Sequence, residues 1–177
     1  MATHAFVFPG QGSQAVGMAK DLCEASAAAR EVLEEIDEAL KQSLSRLMFE
    51  GPEDELLLTE NAQPALMATS VAVLRTLQQE GGVDLGEKVA FVAGHSLGEY
   101  SALAAAGTFA LTDAAQLLKR RGQAMQRAVP VGEGAMAAVL GLEVGDVAEI
   151  AATAAGDDAV CGLANDNAPG QVVISGH

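Results

Sequence analysis

Tryptophan is absent from this sequence, tyrosine occurs once and phenylalanine five times, so aromatics make up 3% of its 177 residues. Half of the residues are hydrophobic all the same, alanine supplies much of that fraction, and nineteen glycines stand beside it. Such a composition favours close helix and loop packing over large aromatic pockets. Positive charge is also scarce: ten Lys and Arg stand against twenty-four Asp and Glu, a formal charge of −14. That balance argues against nonspecific nucleic-acid binding and against adhesion to anionic membranes. It also leaves any anionic substrate in need of a local positive site.

Cysteine is limited to Cys23 and Cys161, far apart and without Cys-x-x-Cys spacing. Two reduced structural thiols of a cytosolic protein are expected, and no metal site. No run approaches membrane-spanning length, and the opening "MATHAFVFPGQG" lacks a basic leader followed by a long apolar core. A cytoplasmic location is therefore expected. The length suits one ordinary domain with its own core.

What is present alternates between strand and helix patterns. Ala5 to Phe8 reads as a short buried strand stopped by Pro9 and Gly10. Apolar residues at helical spacing from Met18 to Leu40 predict two helices or one kinked one, and short helical pieces follow the Gly51-Pro52 break. Asn61 is expected to cap the next helix, with Pro64 in its first turn and Gly81-Gly82 at its end. Lys88 to Ala93 is the second strand, a helix from Ser96 ends at Gly107, and Thr112 caps a helix to about Ala128. This rhythm predicts a three-layer α/β domain on a parallel sheet over residues 1–130. Beyond Pro130, strand, helix, strand, strand reads as the opening of a small α+β subdomain over residues 131–177.

The second strand runs into "GHSLGEYSALAAAG". A Gly-x-Ser-x-Gly sequence between strand and helix is a nucleophile elbow, in which glycines permit a tight turn that lifts the serine hydroxyl off the sheet edge. Ser96 is the candidate nucleophile. The N–H of Leu97, at the start of a helix, would face the oxyanion of a tetrahedral intermediate. The loop "PGQGSQ" after the first strand should lie at the same sheet edge, and its Gln11 N–H is the second candidate donor. A phosphate loop is the competing reading, but Gly10, Gly12 and Gly17 miss the dinucleotide spacing.

On the helix after Thr112, Ala114, Leu118, Met125 and Ala128 form an apolar seam only if position 121 is counted, and position 121 is arginine. Its neighbours Lys119, Arg120 and Arg127 are expected in solvent. A buried arginine stays charged and needs an anionic partner. Two partners fit: a carboxylate of this acidic chain, or a substrate carboxylate held by two parallel hydrogen bonds.

Taken in order, "FVFPGQGSQAVGM", "ENAQPALMATS", "GHSLGEYSALAAAG", "KRRGQAMQ", "GEGAMAAVLGL" and "NDNAPGQVVISGH" resemble the malonyl-CoA:acyl carrier protein transacylases. The resemblance implies an α/β hydrolase-like core with a nucleophile elbow, joined to the first part of a ferredoxin-like subdomain. It implies that Ser96 takes malonyl from malonyl-CoA as an ester and passes it to the phosphopantetheine thiol of acyl carrier protein. Gln11 and Leu97 match the oxyanion hole, Arg121 the residue that binds the malonyl carboxylate, and Gln63 and Asn165 substrate-binding motifs of the same cleft. No metal and no cofactor beyond the malonyl-CoA substrate are implied.

Members of that family are longer, and their catalytic histidine lies in a later part that nothing here matches. His95 belongs to the elbow, His4 opens a strand and His177 is terminal, so each reads as structural or exposed. The resemblance therefore implies a partial transacylase, whether truncated, proteolysed or completed by a further polypeptide, with apolar surfaces left uncovered. Two other readings stand beside acyl transfer: a noncatalytic piece that binds malonyl-CoA or carrier protein, and an ordinary serine hydrolase.

Overall fold

In a computed structural model, which describes residues 3–130, 132–156 and 159–177, the chain forms two compact units. The first ends at Met125 and the second runs from Gln126 to His177. The boundary falls inside the last turn of a helix, five residues ahead of Pro130.

The first unit is mostly helical. After β1 (His4–Phe8) come α1 (Lys20–Ala25) and α2 (Ala27–Leu40), separated at Ser26. Ser26 is extended, and its hydroxyl accepts the Ala29 N–H, which ends one helix and caps the next. In α2, Ala28, Ala29, Val32, Leu33 and Ile36 are buried, a stripe at helical period. Short α3 (Leu44–Glu50) and α4 (Glu53–Leu57) lead to α5 (Thr59–Gln79). Every residue from Asn61 to Ala68 in α5 is buried. Its alanines at 62, 65 and 68 let neighbouring helices approach closely, and Ile36, Met48, Met67 and Leu118 fill the core around it.

The start of α5 departs from the sequence reading. The helix begins at Thr59, so Asn61 lies inside it and Pro64 is the sixth residue, past the first turn. The carbonyl of Leu58 accepts both the Asn61 and Ala62 N–H groups, which starts the helix without a side-chain cap. Asn61, 6% exposed, uses its amide elsewhere: Nδ2 donates to the Glu55 carbonyl and Oδ1 accepts from Gln42 and Lys119. A buried amide with four hydrogen-bonding sites is better satisfied by three tertiary partners than by one cap contact.

A single turn, α6 (Leu85–Lys88), precedes β2 (Val89–Gly94), which pairs in parallel with β1, Phe6 opposite Val92 and Phe8 opposite Gly94. Period-two alternation turns Phe6, Phe8 and Val92 toward Leu74 of α5 and toward Ala102 and Ala105 of the next helix. The other face carries Val7 and Phe91, 75% and 74% exposed. The strand expected to be buried is thus buried on one face only, because helices of this unit cover one side of the pair. From the sheet edge the chain enters α7 (Gly98–Ala105) and then α8 (Leu111–Ala128). Thr112 is the second residue of α8 rather than its cap, since the helix takes in the buried Leu111.

In the second unit β3 (Ala135–Leu140), β4 (Cys161–Ala168) and β5 (Gln171–Gly176) form an antiparallel sheet in the order β3-β5-β4, with α9 (Val144–Ala155) between β3 and β4 in the chain. α9 packs against β4 and β5, with Val147 and Ala151 of the helix and Val172 of β5 buried. The turn between β4 and β5 is confined to Pro169-Gly170, and the preceding Asp166, Asn167 and Ala168 belong to the strand.

Gly122 marks the closest approach of α8 to α5. A Cβ there would collide with Glu60 Cα and lie 2.7 Å from both Glu60 N and the Thr59 carbonyl oxygen. These are backbone atoms and cannot swing aside. Replacing a helix-interior glycine with alanine ordinarily stabilises by about 1 kcal/mol. Here Gly122→Ala is expected to destabilise by about 2 kcal/mol through overpacking, read as a lower urea midpoint, and a raised midpoint would contradict the contact.

Candidate active site

The turn between β2 and α7 is strained at the serine itself. Ser96 has φ 54°, a left-handed conformation shared only with Ala19 and Lys41 among described non-glycine residues. Such a conformation costs roughly 1–2 kcal/mol in an L-residue. Three backbone hydrogen bonds hold it: His95 N–H to the Phe8 carbonyl at 3.2 Å, Gly98 N–H to the His95 carbonyl at 2.8 Å, and Glu99 N–H to the Ser96 carbonyl at 3.2 Å. The flanking glycines serve close approach rather than positive φ. A Cβ on Gly94 would strike the Gly98 carbonyl, and one on Gly98 would strike Phe8 O and lie 2.7 Å from Pro9 O. Only bare backbone lets α7 start this close to the ends of β1 and β2.

Leu97 anchors the turn with a side chain 1% exposed, while its N–H takes no part in the three bonds that hold Ser96. The loop after β1 lies beside the elbow: a Cβ on Gly10 would come 2.7 Å from His95 Nδ1. Gln11 follows in an exposed turn, and Gly12 N–H closes that turn on the Gln14 side chain at 2.8 Å. The structure thus brings the Gln11 loop, Leu97 and Ser96 to one edge of the parallel pair.

Arg121 reaches this edge from α8. Its Nη2 donates to Ser96 Oγ at 3.1 Å, its Nη1 donates to Gln63 Oε1 at 2.6 Å, and its guanidinium carbon lies 6.0 Å from the centre of the Tyr100 ring. Among the described residues it forms no ion pair. The pairs present are Lys41–Glu38, Arg46–Glu50 and Lys119–Glu60. Of the two partners that the sequence left open, a carboxylate of this chain is therefore not found among the described residues. The seam is also shorter than the spacing suggested: Ala114 and Leu118 are fully buried, but Met125 is 45% exposed and Arg121 half-buried at the rim.

Gln63 is fully buried on α5, with Nε2 donating to Met125 Sδ at 3.3 Å and Oε1 occupied by Arg121. It touches the arginine rather than open solvent. Tyr100, one helical turn after Ser96, was not singled out from the sequence, although its spacing places it on the elbow side of α7. Asn165 lies in the second unit, exposed on β4 opposite Val173 of β5. Among the histidines, His95 stands exposed against Gly10, His4 contacts Thr3 Oγ1, and His177 Nδ1 accepts the Val160 N–H. Among the described residues no group of three His, Cys, Asp or Glu could hold a metal, and no helix is long and apolar enough to cross a membrane.

Lys119 is not in solvent as expected. Its Nζ lies 3.2 Å from Glu60 Oε2 and 2.8 Å from Asn61 Oδ1, with 20% of the side chain exposed. Gln123 Nε2 donates to the same Glu60 oxygen at 3.1 Å. The buried amide of Asn61 provides the reason, since it offers an acceptor that a long ammonium side chain can reach from the neighbouring helix. Burial pushes the Glu60 carboxyl upward, but the hydrogen bonds from Gln123 and Lys119 and the Lys119 charge together hold it below its ordinary value.

A depressed folded-state pKa contributes stability that is present above the unfolded-state value and lost as pH falls through the folded one. Glu60→Gln is therefore expected to lower the urea midpoint at neutral pH, and that deficit is expected to shrink as pH falls below the ordinary glutamate range and to vanish once the folded carboxyl is protonated. A deficit independent of pH would remove the charge from the account.

Comparison with known proteins bears on the family and the fold. The acyl transferase domain family matches residues 5–177. A malonyl CoA-acyl carrier protein transacylase of Bacillus subtilis is 49% identical over 176 residues, 99% of this chain and 54% of that protein. An acyl-carrier-protein-S-malonyltransferase structure from Bartonella henselae superposes with a TM-score of 0.89 at 60% identity, covering 97% of this chain and 54% of that one. A solved complex of a type II PKS acyl-carrier protein with its malonyl-transacylase gives 0.86 at 42% identity, covering 97% of this chain and 54% of that one. This chain spans about half the length of the curated relatives it matches. With an elbow serine, an adjoining loop and an arginine facing the serine in a fold shared with those structures, the chain belongs to the acyl transferase domain family.

Proposed function

We propose that this protein transfers malonyl from malonyl-CoA to the phosphopantetheine thiol of an acyl carrier protein through an ester on Ser96. The observation that carries the proposal is Arg121: a half-buried guanidinium 3.1 Å from the elbow hydroxyl, without an ion-pair partner among the described residues. In a chain of net charge −14, such a site favours a short acyl group that ends in its own carboxylate. The names of the relatives point to the same substrates and to the same carrier.

The arrangement supports the following steps. Ser96 Oγ attacks the thioester carbonyl, and the oxyanion that forms is met by the Leu97 and Gln11 N–H groups. Collapse breaks the C–S bond, the thiol of coenzyme A leaves carrying the proton that Ser96 gave up, and malonyl remains as the seryl ester. The carrier thiol then attacks that ester, the C–O bond to Ser96 breaks, malonyl leaves as the carrier thioester, and Ser96 Oγ recovers the proton that the thiol gave up. Arg121 holds the malonyl carboxylate through both steps, and Gln63 holds Arg121. The resemblance assigns the proton transfers to a histidine in a part of the family pattern that these 177 residues do not match. A serine hydrolase acting on a neutral ester has no use for a cation at this position.

Several further readings accompany this one. The second unit, a β-α-β-β antiparallel arrangement with one helix on its sheet, reads as the first part of a ferredoxin-like subdomain. Asn165 stays a substrate-binding candidate on the resemblance alone. Arg120 and Arg127 are exposed and offer positive charge to an acidic carrier, whereas Lys119 is already engaged. Two free cysteines suit a reducing cytoplasm.

In the intact natural polypeptide, mixing with malonyl-CoA is expected to add one malonyl increment to the protein mass, and Ser96→Ala is expected to abolish it. An unmodified wild-type mass would leave only the noncatalytic binding reading. Arg121→Ala is expected to lower kcat/KM for malonyl transfer by about 100-fold or more while changing acetyl transfer by only a few-fold. Equal losses with both donors would refute the carboxylate clamp.

A further inference from the structure

In a chain with twenty-four acidic residues, a half-buried arginine without a carboxylate partner among the described residues needs an explanation. The nearest acidic side chain along α5 is close at hand. Glu60 stands one turn before Gln63, which already touches Arg121, and its backbone abuts Gly122, the residue next to Arg121. An ion pair between Glu60 and Arg121 would neutralise the guanidinium.

Helix geometry shows what directs Glu60 elsewhere. At about 100° per residue, Lys119 and Gln123 lie on one flank of Gly122 and Arg121 on the other. On α5, Asn61 and Gln63 lie on opposite flanks of Glu60 by the same rule. The contacts follow this division. Lys119 bonds Glu60 and Asn61 on one flank, Gln123 joins them at Glu60, and Arg121 bonds Gln63 on the other. Glu60 sits at the centre of the seam, and two donors converge on its Oε2 from the flank that faces away from Arg121.

We infer that Lys119 is a specificity-determining positioning residue: with Gln123 it draws the Glu60 carboxylate to the far flank of the α5–α8 contact, leaving Arg121 charged for a substrate carboxylate. The neutral Gln63 then orients Arg121 without consuming its charge. Without Lys119 the Glu60 carboxylate loses its cation and becomes free to turn toward Arg121, whose neighbour Gly122 its backbone abuts, and to occupy the anion site from within. The inference rests on the clamp reading of Arg121.

The test is a donor-selectivity cycle in the intact natural polypeptide, with cooperative unfolding recorded for each variant. Lys119→Met is expected to raise KM for malonyl-CoA about tenfold or more with acetyl transfer little changed, since only the carboxylate-bearing donor competes with Glu60. Adding Glu60→Gln to it removes the internal competitor and is expected to restore malonyl KM to within a few-fold of wild type. If the methionine variant does not fold, Lys119→Gln keeps a donor for Asn61 and makes the same prediction. A merely structural role for Lys119 predicts similar losses with the malonyl and acetyl donors, because disorder at the seam does not distinguish them, so a loss confined to the malonyl donor is the discriminating result. Unchanged selectivity in the single variant, or a double variant no better than the single, overturns the inference. Arg121→Ala separates the two levels: if it spares malonyl preference, clamp and inference both fall, and if it abolishes preference while Lys119→Met does not, only the inference falls.

Discussion

The contact on which the active-site geometry depends is the approach of α8 to α5 at Gly122. Backbone meets backbone there, with Glu60 and Thr59 pressed against a residue that has no side chain. The approach fixes the distance between the helices and so determines which side chains can bridge them. Arg121 meets Gln63 on one flank and Lys119 meets Asn61 on the other, each pair closing at under 3 Å. A wider seam would lengthen both contacts together and would carry the guanidinium away from Ser96.

Against this helical frame the elbow supplies the reacting atom. Ser96 is held in a left-handed conformation by hydrogen bonds from its neighbours and by glycines that let the strand ends and α7 crowd together. Strain of this kind persists only where the surroundings over-determine it. Here the surroundings are a parallel pair of strands beneath and a helix start beside it, with the Leu97 side chain locked in the core. The hydroxyl is consequently presented rather than buried, facing a cation whose position was set by a different part of the fold.

Electrostatics tie these two parts together. The acidic surplus of the chain makes unneutralised positive charge hard to keep, because carboxylates are plentiful and Coulomb attraction strengthens in partly buried sites. The α5–α8 seam resolves this with two polar flanks of different character. One joins an ammonium to a carboxylate with amides around them, and the other gives an arginine a neutral amide and an aromatic face. The first consumes charge and the second preserves it.

The sequence by itself determined whatever depends on neighbours within a few residues. The elbow was legible because strand, glycines, serine and helix occur in one stretch of chain, and Arg121 stood out because a charge interrupted an apolar period. The β-α-β-β order of the second unit was legible for the same reason, while Met18 to Leu40 read equally as two helices or one kinked one. Tertiary structure decided the destinations of long polar side chains. Asn61 looked like a cap and became the centre of a buried network, and Lys119 looked solvated yet reached a partner 58 residues away. It also decided that Arg121 would find Gln63, again 58 residues distant, rather than a carboxylate. Periodicity reports which face of a helix is apolar, but which donor meets which acceptor depends on how closely two helices pack. That spacing was set by a glycine whose importance appears only when the opposing backbone is in place.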